Sequence, residues 1–135
     1  MKKRMEMVLA ALCLAMLFMG CTDAEQEEPV MISYEQISQE QAKMLMESET
    51  DYVILDVRTE EEFAEGYIVG AILIPDYEIK EKAESILPDK NQLILVYCRS
   101  GRRSKIAASE LVALGYTNVK EFGGIIDWSY GIVKD

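Results

Sequence analysis

Histidine is absent from this 135-residue sequence, and cysteine is scarce, with three residues in all. Without histidine the chain cannot form the Cys/His pair of a papain-type hydrolase, in which an imidazole activates the sulfur. Three cysteines without histidine also cannot supply the four Cys and His ligands of a structural zinc site. We therefore expect no metal centre, and the sequence points to no other cofactor.

Positive charge is also scarce, because 14 Lys and Arg stand against 24 Asp and Glu, a formal net charge of −10 at pH 7. So acidic a surface repels phosphates, which argues against a nucleic-acid partner. Three arginines nevertheless lie close to one cysteine, in Cys98-Arg-Ser-Gly-Arg-Arg103. This local concentration of positive charge predicts a small anionic substrate.

The longest apolar run lies near the N terminus, at residues 7–19, and follows a basic start at residues 2–4. A membrane-spanning helix needs about 20 apolar residues, whereas this shorter run fits the hydrophobic segment of a signal peptide. The run leads into Leu17-Phe-Met-Gly-Cys21, which resembles the bacterial lipobox. One residue departs from that motif, since Phe18 stands where leucine is usual.

We therefore predict a lipoprotein signal peptide over residues 1–20, a lipid on Cys21, and an acidic tether over residues 21–29. An ordinary signal peptide and an uncleaved anchor are the alternatives. Cleavage would remove Cys13 and lipidation would modify Cys21, so Cys98 would remain as the single free thiol. On this interpretation the chain is an extracytoplasmic, membrane-anchored lipoprotein of the cell envelope.

Residues 30–135 are predicted to form one domain, in which apolar runs alternate with helical patterns. Unbroken apolar runs predict buried strands. Strands are expected at residues 30–32, 52–57, 71–74, 93–97 and 119–122, of which 93–97 is the clearest unbroken run. Helices are expected at about 34–47, 60–65 and 78–87, and from Ser104 to Gly115, with a final turn that carries Trp128. Strands that alternate with helices indicate an α/β domain with a mainly parallel, five-stranded sheet flanked by helices.

Two capping-box patterns predict helix starts, Ser33 with Gln36 and Thr59 with Glu62. Helical spacing also predicts which apolar side chains face the core. The predicted inward residues are Ile37, Met44, Leu45, Ile79, Ala83, Ile86, Leu87, Ile106, Ala107, Leu111 and Leu114. Helical spacing explains the methionines as core residues more simply than a copper site does.

Cys98 lies between the predicted strand at 93–97 and the helix that begins at Ser104. A strand–loop–helix of this kind directs backbone N–H groups and the positive helix end at one point, where they stabilise a thiolate, a persulfide or an oxyanion. Nearby arginines favour the thiolate further, so we predict that Cys98 is a nucleophile. The alternative is a buried structural thiol beside ordinary surface arginines. Because ligands bind beyond the carboxyl ends of parallel strands, Asp56 and Arg58 are expected to face the same pocket.

Four segments together resemble the single-domain rhodanese family, and the resemblance covers about residues 30–133. The segments are Asp56-Val-Arg58, Glu62-Phe63 leading to Gly66-Tyr-Ile-Val-Gly-Ala-Ile-Leu-Ile-Pro75, Tyr97-Cys-Arg-Ser-Gly-Arg-Arg-Ser104, and Gly123-Gly-Ile-Ile-Asp-Trp128. The resemblance implies the three-layer rhodanese fold and sulfurtransferase chemistry. Tyr67 departs from the pattern, because the family usually has histidine at that position.

The resemblance also implies roles for the site residues. Cys98 falls on the catalytic cysteine, which would take sulfane sulfur from thiosulfate or a persulfide donor and pass it to a thiol or cyanide acceptor. The implied substrate-binding residues are Arg99, Ser100, Gly101, Arg102 and Arg103, and the residues implied to support the loop are Asp56, Arg58 and Ser104. Asp56 and Arg58 are alternatively in contact with the substrate, whereas Trp128 is expected in the core.

Two other functions stay open. A phosphatase or arsenate reductase on the same fold would resemble the cell-cycle dual-specificity phosphatases, which have five residues between cysteine and arginine. Here four residues separate Cys98 from Arg103, and the shorter loop suits a sulfur atom better than a phosphate. The second alternative is a non-enzymatic persulfide carrier or a membrane-tethered binding module.

Overall fold

The computed structural model describes residues 32–135. The predicted signal peptide, the lipidation site, the tether and the first two residues of the first predicted strand lie outside these residues. Within the described part of the chain, no helix is both long enough and apolar enough to cross a membrane.

Five strands and four helices alternate along residues 32–135. The strands are β1 (Glu35–Gln36), β2 (Tyr52–Asp56), β3 (Ile72–Leu73), β4 (Leu93–Cys98) and β5 (Val119–Gly124). The helices are α1 (Gln39–Ser48), α2 (Glu60–Glu65), α3 (Ile79–Ile86) and α4 (Arg102–Ala113), and two short 3-10 turns lie at Asp76–Glu78 and Ile125–Asp127.

The strands form one sheet in the order β1-β5-β4-β2-β3, and every pairing is parallel. Strand β4 lies at the centre and all six of its residues are buried, as the unbroken apolar run predicts. The register pairs Asp56 with Tyr97 and Cys98 with Gly124. The carboxyl ends of β2, β4 and β5 therefore meet at one edge of the sheet, and the predicted α/β fold is confirmed.

Apolar layers cover both faces of the sheet. On one face α3 and α4 pack against the strands, with Ile79 and Leu111 buried there. On the other face Ala42 of α1 joins a cluster that contains Leu95 and Phe122. A central strand is buried on both faces and is therefore rich in apolar residues. Burial of one such side chain stabilises the folded state by about 1.5–3 kcal/mol.

The first strand and the first helix begin later than predicted. Ser38, not Ser33, caps α1, and Gln41 completes its capping box. Both serines are followed by glutamine three residues later, so the local pattern does not separate them. Tertiary pairing decides, because Glu35 and Gln36 pair with β5 and this keeps the chain extended up to Ser38. Ile32, predicted in a strand, is exposed and unpaired with the sheet.

Three side chains predicted to face the core are exposed instead. Met44 is 61% exposed, Ile86 45% and Ile106 46%. In α3 and α4 the buried positions follow helical spacing along one face, as at Ile79 and Ala83 of α3. Met44 lies two residues after the buried Ala42, and a position two residues away points to the opposite side of the helix. Ile106 likewise lies two residues before the buried Ala108. Ile86 shares the face of Ile79 and Ala83, but it is the last residue of α3 and is exposed there. Ile37, Leu45 and Leu114 are only partly buried.

The second capping box and the helix that follows it are confirmed. Thr59 and Glu62 cap α2 reciprocally, and the helix ends at Gly66. The predicted strand at 71–74 is shorter than expected, at Ile72–Leu73, and it pairs with β2.

Candidate active site

Cys98 is the last residue of β4, and its side chain is 1% exposed. Gly101 precedes the first residue of α4 and has a φ of +105°, a left-handed conformation that glycine adopts without the strain of a β carbon. Its backbone N–H donates to Cys98 Sγ over 3.0 Å. The turn therefore places the sulfur against a backbone donor beside the start of a twelve-residue helix, where negative charge is favoured.

The Gly123-Gly124 pair at the end of β5 packs directly under this turn. A β carbon on Gly124 would lie 2.0 Å from the carbonyl oxygen of Arg99, which no side chain tolerates. The same carbonyl accepts a hydrogen bond of 3.2 Å from the Ile126 N–H. The Gly123-Gly124 pair was noted above only as part of the resemblance, with no packing role. Glycine within a strand is a signal of close backbone approach, and it marks that contact here.

Ser104, in the first turn of α4, lies next to the Cys98 sulfur. Its hydroxyl oxygen is 3.3 Å from Cys98 Sγ and 2.7 Å from Oε1 of Glu121. Glu121, on β5, is 3% exposed and also accepts the Gly123 N–H over 2.7 Å. Glu121 was not predicted as a site residue. The sequence offered one signal for it, an acidic residue within a segment that is itself predicted to be a strand.

The three loop arginines occupy different environments. Arg103 forms a two-pronged ion pair with Glu62 of α2, with N–O distances of 2.6 and 2.9 Å. The hydrogen bond from Arg103 lowers the pKa of the Glu62 carboxyl from 4.5 to about 2. Arg99 and Arg102 are exposed, and neither forms an ion pair with another residue of the described part of the chain. These two arginines are therefore the loop cations available to an anion from solvent.

Asp56 and Arg58 form a buried ion pair at the end of β2, with Nη2 and Oδ2 2.7 Å apart. Arg58 also donates to the carbonyl of Gly66 over 2.7 Å. None of the hydrogen bonds found within residues 32–135 joins this pair to loop 99–103. The pair instead ties the end of β2 to the segment after α2, which is one wall of the candidate site.

An open cleft of about 450 Å³ adjoins the loop. Its lining includes Arg58, Glu62, Glu65, Arg99, Ile126 and Ile132. The ends of β2 and β4 thus contribute to one cleft, as their positions in the sequence predict. Its walls combine exposed isoleucines with charges of both signs.

Within residues 32–135, neither Tyr67 nor Trp128 forms a hydrogen bond with Cys98. The Tyr67 ring stacks on Phe63 with centroids 4.2 Å apart, and its hydroxyl donates to Asp135 over 2.7 Å. The departure from the usual histidine therefore falls on a surface contact with the C-terminal segment. Trp128 is partly buried and packs on the core residue Phe122 with centroids 5.6 Å apart.

The chain is similar in sequence and in structure to known proteins. The rhodanese-like domain model matches residues 38–130. Thiosulfate sulfurtransferase PspE of Escherichia coli strain K12 is 41% identical over 80 residues, which cover 59% of this chain and 77% of PspE. A sulfurtransferase of Allochromatium vinosum is 34% identical over 95 residues, covering 70% of this chain and 87% of that protein. A solved structure described as a rhodanese with anions from E. coli superposes with a TM-score of 0.59 at 39% identity, covering 62% of this chain and 99% of the other.

Proposed function

Because this chain belongs to the rhodanese-like domain family, we propose that it is a thiosulfate sulfurtransferase-like enzyme that carries sulfane sulfur on Cys98. The observation that supports the assignment to Cys98 is its position. The sulfur ends the central strand, receives the Gly101 N–H at 3.0 Å, and lies beside the N terminus of α4. A nucleophilic sulfur needs donors of this kind, because they stabilise its negative charge.

The reaction proceeds in two half-reactions. The Cys98 thiolate attacks the sulfane sulfur of thiosulfate, the S–S bond of thiosulfate breaks, and sulfite leaves with the bonding pair. A new S–S bond joins the transferred sulfur to Cys98 Sγ, and the negative charge moves to the outer sulfur. An acceptor thiolate or cyanide then attacks that outer sulfur, and the Cys98 thiolate is the leaving group. Covalent catalysis of this type gives ping-pong kinetics.

Substrate binding is assigned to the exposed loop cations. Arg99 borders the cleft and Arg102 is exposed at the start of α4, so both attract a dianion such as thiosulfate. Arg103 has a different role, since Glu62 neutralises it and holds it in place. We assign Arg103 to positioning the first turn of α4 against α2. The outer sulfur of the persulfide is held by the amides of Ser100, Gly101 and their neighbours.

The same contacts argue against phosphate chemistry. In the phosphatase alternative the arginine that closes the loop has to face a tetrahedral phosphate. Here the candidate, Arg103, gives both arms of its guanidinium to Glu62. A dianionic phosphate would have to displace this carboxylate, which makes the persulfide function the better supported of the two.

The experiment that tests the function is the intact mass of the purified protein before and after thiosulfate. We expect a gain of one sulfur atom that cyanide removes and that is absent from Cys98→Ser. No gain in the native protein would refute thiosulfate as the donor. Turnover with an array of thiol acceptors then separates an enzyme from a persulfide carrier, because a carrier releases its sulfur only to a dedicated protein.

We also propose that the protein is an extracytoplasmic lipoprotein anchored through Cys21. The support is the order of a basic start at residues 2–4, an apolar run at residues 7–19 and the lipobox-like Leu17–Cys21. Metabolic labelling with a fatty acid, followed by membrane fractionation, tests this placement. Label and membrane association should both be lost in Cys21→Ala, and their retention would refute the anchor.

A further inference from the structure

Glu121 is a buried carboxylate that the two half-reactions do not use. It lies on β5 opposite Val96 and is 3% exposed. Within residues 32–135 no Lys or Arg forms an ion pair with it. A buried carboxylate is costly unless hydrogen bonds compensate it. Its two hydrogen-bond donors, the Ser104 hydroxyl and the Gly123 N–H, are both 2.7 Å from Oε1. The Ser104 hydroxyl therefore donates its proton to this carboxylate.

The Ser104 hydroxyl has a single proton and four polar neighbours. The distances from its oxygen are 2.7 Å to Glu121 Oε1, 3.1 Å to the Gly101 carbonyl, 3.4 Å to the Gly123 carbonyl and 3.3 Å to Cys98 Sγ. A carboxylate is the strongest acceptor of the four and also the nearest, so the proton points to Glu121. The hydroxyl then presents a lone pair to Cys98 Sγ. That lone pair accepts a thiol proton and repels a thiolate.

We propose that Glu121, acting through Ser104, is a positioning residue that favours the thiol and the persulfide of Cys98 over the bare thiolate. The persulfide part of this proposal rests on the proposed function. A bare thiolate on Cys98 carries its negative charge on Sγ. Only the Ser104 hydroxyl separates that charge from the Glu121 carboxylate, at 3.3 Å from Sγ and 2.7 Å from Oε1. A negative charge within about 6 Å raises the free energy of the thiolate and leaves that of the neutral thiol nearly unchanged.

Loading with sulfur moves the negative charge away from Glu121. When sulfite leaves with the bonding pair, Sγ becomes neutral and the charge lies on the outer sulfur, about 2 Å farther along the new S–S bond. The outer sulfur has to lie on the exposed side of the loop, where an acceptor reaches it, whereas Glu121 lies on the buried side. The relief in repulsion favours the persulfide about threefold over the bare thiolate. Where the unloaded cysteine is a thiolate, Glu121 therefore shifts the equilibrium toward the sulfur-loaded state.

Other charged groups around Cys98 set the background for this effect. They come from β2 and its end, from α2, from the turn before α3 and from the loop. They are Asp56, Arg58, Glu62, Asp76, Arg99, Arg102 and Arg103. Their contributions stay the same when only Glu121 or Ser104 is changed, so a difference between variants reports on the Glu121–Ser104 pair.

The test is the rate of alkylation of Cys98 as a function of pH in the full-length protein, followed at the Cys98 peptide by mass spectrometry. Glu121→Gln keeps an acceptor for the Gly123 N–H and removes the negative charge, so the midpoint of its alkylation profile should fall. Glu110→Gln, which removes a carboxylate from the far part of α4, should leave the midpoint unchanged. An unchanged midpoint in Glu121→Gln would overturn the proposal.

Ser104→Ala decides the question by sign, even if Glu121→Gln does not fold. If the hydroxyl proton points to Glu121, the substitution removes an acceptor from the thiol and the midpoint falls. If the proton points to the sulfur, the substitution removes a donor from the thiolate and the midpoint rises. A rise would overturn the proposal.

A second measurement addresses the persulfide. At a fixed ratio of thiosulfate to sulfite, and at a pH above the alkylation midpoints of both proteins so that the unloaded cysteine is a thiolate, the ratio of persulfide to unloaded protein should be about threefold lower in Glu121→Gln than in the native protein. An equal ratio would contradict the proposed bias toward the loaded state. Failure of the native protein to form any persulfide would instead refute the proposed function, and the alkylation midpoints would still decide the role of Glu121.

Discussion

Substitution of Glu62 by glutamine tests whether the ion pair to Arg103 holds α2 against loop 99–103. Glutamine keeps the reciprocal cap with Thr59, because either residue serves at this position of a capping box. The substitution therefore removes the charge and leaves the cap. Any loss of stability is then attributable to the ion pair with Arg103 and to the small interaction of the carboxylate with the helix dipole.

The magnitude follows from the titration of Glu62. Its pKa is lowered from 4.5 to about 2 by the hydrogen bond from Arg103, and each pKa unit corresponds to about 1.4 kcal/mol, so the upper limit is about 3 kcal/mol. The side chains keep 22% and 25% of their surface exposed. Solvent screening through that surface reduces the expected contribution to about 1–2 kcal/mol.

The pH dependence has a definite sign. A carboxyl whose pKa is lower in the folded state stabilises the fold above its unfolded value, and this stability is lost as the pH falls through the folded value. The difference between native protein and Glu62→Gln should therefore be full above about pH 4.5 and decline toward pH 2. Near pH 2 the two proteins should unfold at nearly the same denaturant concentration.

Urea unfolding at pH 7 and at pH 2 measures this difference. Glu61→Gln is the matched control, since Glu61 lies in the same first turn of α2 and is exposed. If Glu62→Gln is no less stable than Glu61→Gln at pH 7, or if its deficit is as large at pH 2 as at pH 7, the assignment of stability to this ion pair is wrong.

Three further substitutions have definite expected outcomes. Gly124→Ala should cost about 1–3 kcal/mol or more by overpacking against the Arg99 carbonyl and abolish persulfide formation. Gly115→Ala meets no atom within 4 Å but is strained by a φ of +98°, so it should lose some stability and keep the activity; an active Gly124→Ala protein would contradict the packing argument. Arg99→Gln should raise KM for thiosulfate about fivefold with little change in kcat, as measured by steady-state kinetics. Lys105→Gln removes a nearby exposed positive charge as a control, and an equal rise in its KM would show that the effect is one of net charge alone. Asp56→Asn should lower the free energy of unfolding by about 3–5 kcal/mol, because it leaves the Arg58 cation buried without its partner; a loss below 1 kcal/mol would show that the pair is dispensable.

Much of the fold was predictable because its signals are local. The unbroken apolar run at Leu93–Tyr97 predicts a buried central strand, and all of its residues are buried. The Thr59 and Glu62 pattern predicts the start of α2 to the residue. Cys98 was recognisable as a site candidate because a strand, a loop rich in arginine and a helix follow one another directly. None of these predictions requires knowledge of a contact between distant residues.

Where the local signal was ambiguous, the prediction failed. Ser33 and Ser38 present the same spacing to glutamine, and only the pairing of Glu35 with Lys120 of β5 selects the second. Helical spacing within the sequence placed apolar residues such as Met44 and Ile106 in the core. The helix face that meets the sheet is set by packing, and both residues lie outside it.

The site divides in the same way. The residues of segment 93–104 alone predicted a cysteine between a buried strand and a helix, because the strand, the cysteine and the helix are consecutive in the sequence. The partners of that segment come from elsewhere in the chain: Glu62 reaches Arg103 across 41 positions, and Glu121 reaches Ser104 across 17. Such contacts depend on the register of β5 beside β4 and on the packing of α2 near α4. Because many registers satisfy the same local preferences, these contacts emerge only when the whole domain packs.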